Sequence, residues 1–294
     1  MIGRKIKKIR LSKKMTQSVL AGEHITRNML SQIENGSAAP SLSTIKYIAE
    51  KLEMPAGYFL ADEKEDRLYA KMLAIDEIKS AYCKKDYEQC ISLCSLCECE
   101  DDELHMLLCE CHYKIATDHL TNGRIISAHK EFNSALYHAE KTAYNVESTK
   151  ISCYAHLDLI GTLYPNMKLE VTDDPDASAR NIACPDIRAY AKALKCLENN
   201  DTDTVRSLLW DADFAKTLTA DHLRAKLCML SRDFEGALEI MKYALDSAKD
   251  NRLGVTLLYE IYSDMEICYR EQKDFENAYT FATKKSKILP EMMK

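Results

Sequence analysis

The chain has 294 residues, 46% of them hydrophobic, with only 8 Gly and 6 Pro, which is core material for about two domains and too few turn-formers for a sheet protein. No apolar run approaches the ~18 residues that span a bilayer. The basic opening MIGRKIKKIR leads into no signal-like apolar stretch, so a cytoplasmic protein without membrane contact is expected. The net charge of −6 hides an asymmetry: residues 1–62 hold ten Lys and Arg against five Asp and Glu, and the acidic excess lies in the remainder. A basic cap on an acidic body separates a candidate polyanion-binding module from a region that repels polyanions. Twelve Cys in a long, helix-patterned chain read as reduced thiols rather than a secreted disulfide framework.

Ile2, Ile6, Ile9 and Leu11 recur at near-helical spacing among Lys and Arg and predict a first amphipathic helix. Thr16 suits the N-cap of a second, with Val19, Leu20 and Ala21 inward. Thr26 suits a third, with Leu30 and Ile33 inward and Gly36 as its stop. Ser41 or Ser43 starts a fourth helix (Leu42, Ile45, Ile48, Ala49, Leu52), and a fifth comes after Pro55. Five short helices can close one small core. The third carries Arg27, Asn28, Ser31 and Gln32 where a plain surface helix more often carries Glu and Lys. A helix docked in a major groove presents its N-terminal turn to base edges. Arg matches guanine O6/N7, and Asn or Gln matches adenine N6/N7. The competing reading of Arg27, Asn28 and Gln32 is a solvated polar face.

The run TQSVLAGEHITRNMLSQIENGSAAPSLSTIKYIAEKLEM resembles the Xre/repressor-type helix-turn-helix. It matches that pattern at Thr16-Gln17, Leu20-Ala21, Ser31, Ile33-Glu34-Asn35-Gly36 and Pro40-Ser41. It departs in a turn one residue shorter than the commonest form and in His24 where a turn Gly is usual. The resemblance implies double-stranded DNA as a partner, with Thr26, Arg27, Asn28, Ser31 and Gln32 on the reading helix. It also implies phosphate contacts from Gln17 and Asn35, and Arg10 paired with Glu34 beside the DNA backbone.

Residues 61–82 begin as a charged stretch and become helical without Gly or Pro, predicting a helical connection over 63–82 between a 1–62 domain and an 83–294 domain. Beyond it one phrase recurs: a charged turn, then Asp or Glu, an aromatic, Glu, and a small residue. YCKKDYEQCISLC (82–94), LSRDFEGALEIMKYAL (230–245) and REQKDFENAYTFA (270–282) are clear copies; TNGRIISAHKEFNSAL (121–136) and ENNDTDTVRSLLWDA (198–212) are weaker. Their small residues fall at Cys90, Ala128, Val205, Ala237 and Ala278, with gaps of 38, 77, 32 and 41. The gap of 77 hides one degenerate unit between 140 and 185. This resembles the tetratricopeptide repeat, a ~34-residue helix pair with small residues where the helices touch. Residues 165–186, rich in Pro, are expected to form a distorted loop.

The stretch 90–112 gathers Cys90, Cys94, Cys97, Cys99, Cys109, Cys111 and His112, which could suggest zinc. Cys90, Cys94 and Cys97, however, fall where Ala128, Phe132 and Ala135 fall in the next unit, and Cys packs there as a small hydrophobe. No metal, cofactor or enzymatic activity is therefore expected; H-E-x-x-H, G-x-S-x-G and phosphate-loop patterns do not occur.

A repressor-type five-helix domain followed by tetratricopeptide-like pairs, an all-α protein with an α-solenoid, is similar to the peptide-pheromone regulators of Gram-positive bacteria (the RNPP group). That resemblance implies a homodimeric transcription factor whose solenoid binds a short signalling peptide. Counting inward along the late first helices proposes Tyr190, Leu194, His222, Lys226, Tyr262, Ser263, Glu266 and Arg270 as groove-lining residues, with Lys226 and Arg270 pairing the peptide's carboxylate. The alternatives are a solenoid that docks a protein or serves only for dimerisation and, third, a metal-dependent sensor on the Cys cluster.

Overall fold

The computed structural model describes residues 2–97, 101–165, 185–247 and 254–292, and every regular element among them is a helix. Most of the expected 165–186 loop, and Cys99, lie outside the described residues. The chain divides into two compact units, Met1–Ser80 with Leu93–Cys99, and Ala81–Ser92 with Glu100–Lys294.

The first unit contains α1 (Ile2–Ser12), α2 (Gln17–Ala21), α3 (Arg27–Asn35), α4 (Leu42–Lys51), α5 (Ala56–Leu60) and most of α6 (Glu63–Cys83). Thr16, Thr26 and Ser41 cap α2, α3 and α4 by accepting the amides of Val19, Met29 and Thr44 at 3.1–3.2 Å. Each cap satisfies one of the orphan N–H groups of its helix. Ile6, Leu20, Leu30, Ile33, Ile48 and Phe59 close one core. Three apolar assignments are corrected: Leu11 is 56% exposed, Val19 59% and Leu42 57%, because a one-turn helix and the helix ends leave part of the expected apolar stripe uncovered. The Lys5 ammonium donates to Tyr58 O (3.1 Å) and Ala61 O (2.7 Å), satisfying carbonyls at the end of α5.

In the second unit, α7 (Tyr87–Leu96) crosses the division, and α8 (Asp102–Thr121) and α9 (Ile125–Ala139) pack as a pair. Next come α10 (Glu147–Leu163), then the pairs α11 (Pro185–Glu198) with α12 (Thr202–Leu208), α13 (Leu218–Leu230) with α14 (Phe234–Ser247), and α15 (Gly254–Glu271) with α16 (Phe275–Met292). The unit expected between 140 and 185 supplies α10; residues 166–184 lie outside the described residues.

The recurring phrase has a physical meaning. Lys85, Gly123, Asn200, Arg232 and Lys273 all take left-handed φ, between 59° and 78°. Each ends a helix with the same pair of bonds; at the last, Lys273 N–H donates to Arg270 O (3.0 Å) and Asp274 N–H to Tyr269 O (2.9 Å). This is the Schellman stop. In four of the five turns the next residue is an Asp that caps the following helix: Asp86, Asp201, Asp233 and Asp274 accept the amide three residues on at 3.0–3.2 Å. The Glu after the aromatic then sits in the first turn, where the helix dipole favours it. Cys90, Ala128, Val205, Ala237 and Ala278 are each the fourth residue of their helix, and all are buried.

The pairs do not simply advance. α15 also packs on α8: the Thr256 hydroxyl donates to Leu120 O at 2.8 Å, and a Cβ on Gly254, whose φ is +49°, would lie 2.0 Å from Thr121 O. Any side chain there would have to push that carbonyl aside, so the start of α15 is latched to the end of α8.

Candidate nucleic-acid interface and ligand pocket

The third helix is held by a buried polar core. Arg10 Nε and Nη2 donate to Glu34 Oε1 (2.6 Å) and Oε2 (2.9 Å), and Nη1 to Met15 O (2.8 Å). The Gln17 amide adds a bond to Glu34 Oε2 at 2.8 Å. Burial alone would raise the Glu34 carboxyl, but the bonds from Arg10 and Gln17 hold it below the usual carboxylate range. Arg10 makes the expected structural pair with Glu34: its side chain is 8% exposed and its fork is spent on Glu34 and Met15, so it positions α3 against α1 and α2.

On that scaffold Thr26, Arg27, Asn28, Gln32 and Asn35 are exposed, and Ser31 and Gln17 are half-buried. Arg27 and Asn28 occupy the first turn of α3, with Met29 beside them, 36% exposed. One Gln17 amide hydrogen is committed to Glu34, which fixes the side chain at the N-terminus of α2. The expectation that His24 replaces the turn glycine is also corrected. Gly22 takes the positive φ, +54°, and a Cβ there would lie 2.3 Å from the Tyr47 hydroxyl, which donates to Ala21 O. His24 instead stacks on the Tyr47 ring at 4.5 Å. Neither Tyr47 nor Lys5 stands out in the sequence, where an aromatic and a lysine on amphipathic helices carry no distinguishing signal.

The late-repeat wall differs from the sequence expectation. Tyr190, Leu194 and His222 are buried core residues, not groove lining. Tyr190 O–H donates to His222 Nδ1 (2.7 Å), and His222 Nε2–H to Asp264 Oδ2 (2.8 Å), which also takes Lys226 Nζ (2.7 Å). Burial lowers the His222 pKa, so the ring is a neutral relay across α11, α13 and α15. Burial would raise the Asp264 carboxyl, but His222 and Lys226 hold it down to about 2. Lys226 is thus already paired. Arg270 is exposed and 3.9 Å from Glu266, which also holds Lys285. Tyr262 and Ser263 are half-buried, Tyr262 against Phe281. The two cations assigned to a ligand carboxylate are balanced by Asp264 and Glu266. Periodicity could not expose this, because these helices are covered on more than one side.

An open cavity lies earlier in the unit. It has a volume of about 270 Å³ and is lined by Tyr113, Thr117, Leu120 and Thr121 of α8, His156 of α10, and Asp186 and Ile187 of α11. Leu120, His156 and Ile187 form its buried part. The α8 residues recur at helical spacing, but no polar motif marks them.

Among the Cys residues, Cys90, Cys94 and Cys97 are buried, as are Ala128, Phe132 and Ala135. Burial pushes the Cys109 thiol up to about 12. His112 lies 2.6 Å from Glu131 Oε2 and stacks on His138. Among the described residues, no group of three or more His, Cys, Asp and Glu could hold a metal ion. No described helix is long and apolar enough to cross a membrane.

Residues 6–59 match the helix-turn-helix family model. With the cap geometry and the exposed α3 turn, this gives the N-terminal part of the chain an Xre-type helix-turn-helix domain. No curated protein matches the sequence. Among solved structures, the chain is similar to Bacillus thuringiensis PlcR, in complex with the peptide PapR7 and DNA, at 18% identity. That match covers 99% of this chain and 95% of PlcR, with a TM-score of 0.27. A PrgX mutant matches at 12% identity over 93% of this chain and 96% of its own, with a TM-score of 0.31. The apo competence regulator ComR from Streptococcus vestibularis matches at 17% over 90% and 97%, with a TM-score of 0.25.

Proposed function

We propose that the chain is a homodimeric transcription regulator that reads duplex DNA with the first turn of α3, and whose helix-pair unit senses a short peptide. The observation that carries the DNA part is the exposed Arg27–Asn28 turn on a helix fixed by the Arg10–Glu34–Gln17 cluster. Such a rigid helix lets side chains reach base edges while the Gln17 and Asn35 ends grip phosphate. The ligand part is supported by the α8–α10–α11 cavity, an apolar hollow with a few converging polar groups. Two heads on a dimer must match half-sites about one helical turn apart, so a ligand that alters their spacing alters operator affinity.

The test is native mass spectrometry of the full chain purified from its own cells, followed by operator titration with and without the bound mass. A peptide-sized adduct whose removal shifts operator affinity by about 1–3 kcal/mol is the expected outcome. One observation favours a second reading, a solenoid that docks a protein: Phe275 and Tyr279, one turn apart on α16, are 66% and 75% exposed. Co-purification of a stoichiometric protein with no peptide would select it.

A further inference from the structure

The late helices carry a polar cluster that shares no residue with the cavity. Tyr190 donates to His222, His222 to Asp264, and Lys226 pairs with the same carboxylate at 2.7 Å. Lys285 and Arg270 share Glu266, at 2.5 and 3.9 Å. Glu260 stands outside this pairing. It lies four residues before Asp264 on α15, so the two carboxylates share a helix face, and it stays partly open to solvent. Around it are Tyr164 at the end of α10, Tyr190 of α11, Lys226 of α13, Asp264 of its own helix and Lys285 of α16. Both of those cations already hold other carboxylates.

Tyr164 is the second unspent group. Its hydroxyl is buried and has no hydrogen-bond partner among the described residues, and Glu260 is the charge that acts on it most strongly. Burial, with Glu260 behind it, pushes the phenol well above its ordinary range, so it stays a neutral O–H. Burial likewise raises the Glu260 carboxyl, to about 7, against the pull of Lys226. A carboxylate drawn out of water without a counter-ion is costly, and either a proton or a cation relieves it.

Resting on the ligand-sensing reading above, we infer that Tyr164 and Glu260 form a subsite for a cationic nitrogen of the ligand, an ammonium or a guanidinium, with the carboxylate as counter-charge and the phenol oxygen as a second acceptor. This inverts the polarity that the sequence pattern suggests. Lys226 and Arg270 look suited to a ligand carboxylate, but Asp264 and Glu266 balance them, and the charge left over beside Tyr164 is negative. A carboxylate brought there would be repelled by Glu260 and Asp264. An ammonium or guanidinium carries several N–H donors, enough to meet Glu260 and Tyr164 together. The cation can belong to a peptide or to a small free amine; the chemistry recognised is the same.

The experiment titrates the full chain calorimetrically with phenethylamine and with 2-phenylethanol, which share a ring and chain length and differ in the charged nitrogen. Phenethylamine should bind saturably and at least about tenfold more tightly than the alcohol, the weight of one charge-assisted hydrogen bond. Its affinity should rise about tenfold from pH 6 to pH 8 as Glu260 ionises, because the amine stays charged throughout. Glu260→Gln keeps the side chain's size and should bring both the preference and the pH dependence to near unity. Should that variant misfold, Tyr164→Phe keeps the ring, removes one acceptor and should weaken phenethylamine at least about threefold while preserving the pH dependence. Equal affinity for the two probes, no saturable binding of the amine, or a wild-type pH profile in Glu260→Gln overturns the subsite. A parallel arm with Phe-Gly-Gly amide tells the sources apart. Tighter binding than phenethylamine assigns the cation to a peptide's amino terminus, weaker binding assigns it to a small amine, and a gain in affinity on N-acetylation overturns the subsite. Peptide sensing is judged separately by native mass spectrometry. A peptide adduct together with equal probe affinities removes the subsite alone, and a cation preference without a peptide adduct removes peptide sensing alone.

Discussion

Glu34→Ala should unfold the DNA-binding domain while sparing the second unit. The Glu34 side chain is 1% exposed and Arg10 8%, so the substitution leaves a guanidinium buried without its counter-charge. It also strips two Arg10 bonds and one from Gln17. Breaking a buried pair from one side costs about 3–5 kcal/mol. A five-helix domain of this size is marginal to begin with, and each kcal/mol moves its Tm by about 4–8 °C. The expected loss is therefore about 12 °C or more. Amide hydrogen exchange on the full chain resolves the two units separately: α1–α5 should lose protection and α8–α16 should keep it. The double variant Arg10→Met with Glu34→Leu removes both charges and should recover most of the stability. A Glu34→Ala protein whose α1–α5 protection falls by less than about 1 kcal/mol would refute the claim that this cluster holds the reading helix in place.

Three further outcomes concern the second unit. The His156 pKa near 4 lies below the unfolded value of about 6.5, so its contribution is intact above pH 6.5 and is lost as pH falls towards 4. That loss is about 3 kcal/mol at most, and His156→Phe should flatten stability over that window in pH-dependent denaturant melts. Lys273→Gly removes the strain of a left-handed L-residue at φ 64° and should stabilise by up to about 1 kcal/mol, read as a higher urea midpoint. Gly254→Ala places a Cβ against Thr121 O and should cost about 1–3 kcal/mol, measured by thermal unfolding.

Much of the architecture is legible in the sequence because it is local chemistry. Thr16, Thr26 and Gly36 can be read as caps and stop from their side chains alone. The Asp-aromatic-Glu phrase marks a capped helix start after a Schellman turn. What periodicity cannot reach is anything decided by distant packing. Val19 is apolar yet exposed because a helix of little more than one turn buries only part of its surface, and the positive φ of that turn falls at Gly22 rather than at His24. Tyr190 and His222 carry polar atoms, which makes them attractive as ligand contacts. Their polarity is absorbed by each other and by Asp264, 42 residues beyond His222. The cavity on α8, α10 and α11 is illegible for the converse reason. Its polar groups are single Thr, His and Asp residues, and no sequence pattern displays the backbone bonds of the Thr and His side chains.

The most direct test of the reading helix is operator affinity after selecting a binding site from random duplexes with the full chain. Wild type and Arg27→Ala with Asn28→Ala are then compared on that site and on unrelated DNA at one fixed salt concentration. Two lost base contacts at about 1–3 kcal/mol each predict that the variant binds the selected site at least about thirtyfold more weakly, while its affinity for unrelated DNA changes little. If the variant keeps its preference for the selected site, α3 does not read the bases.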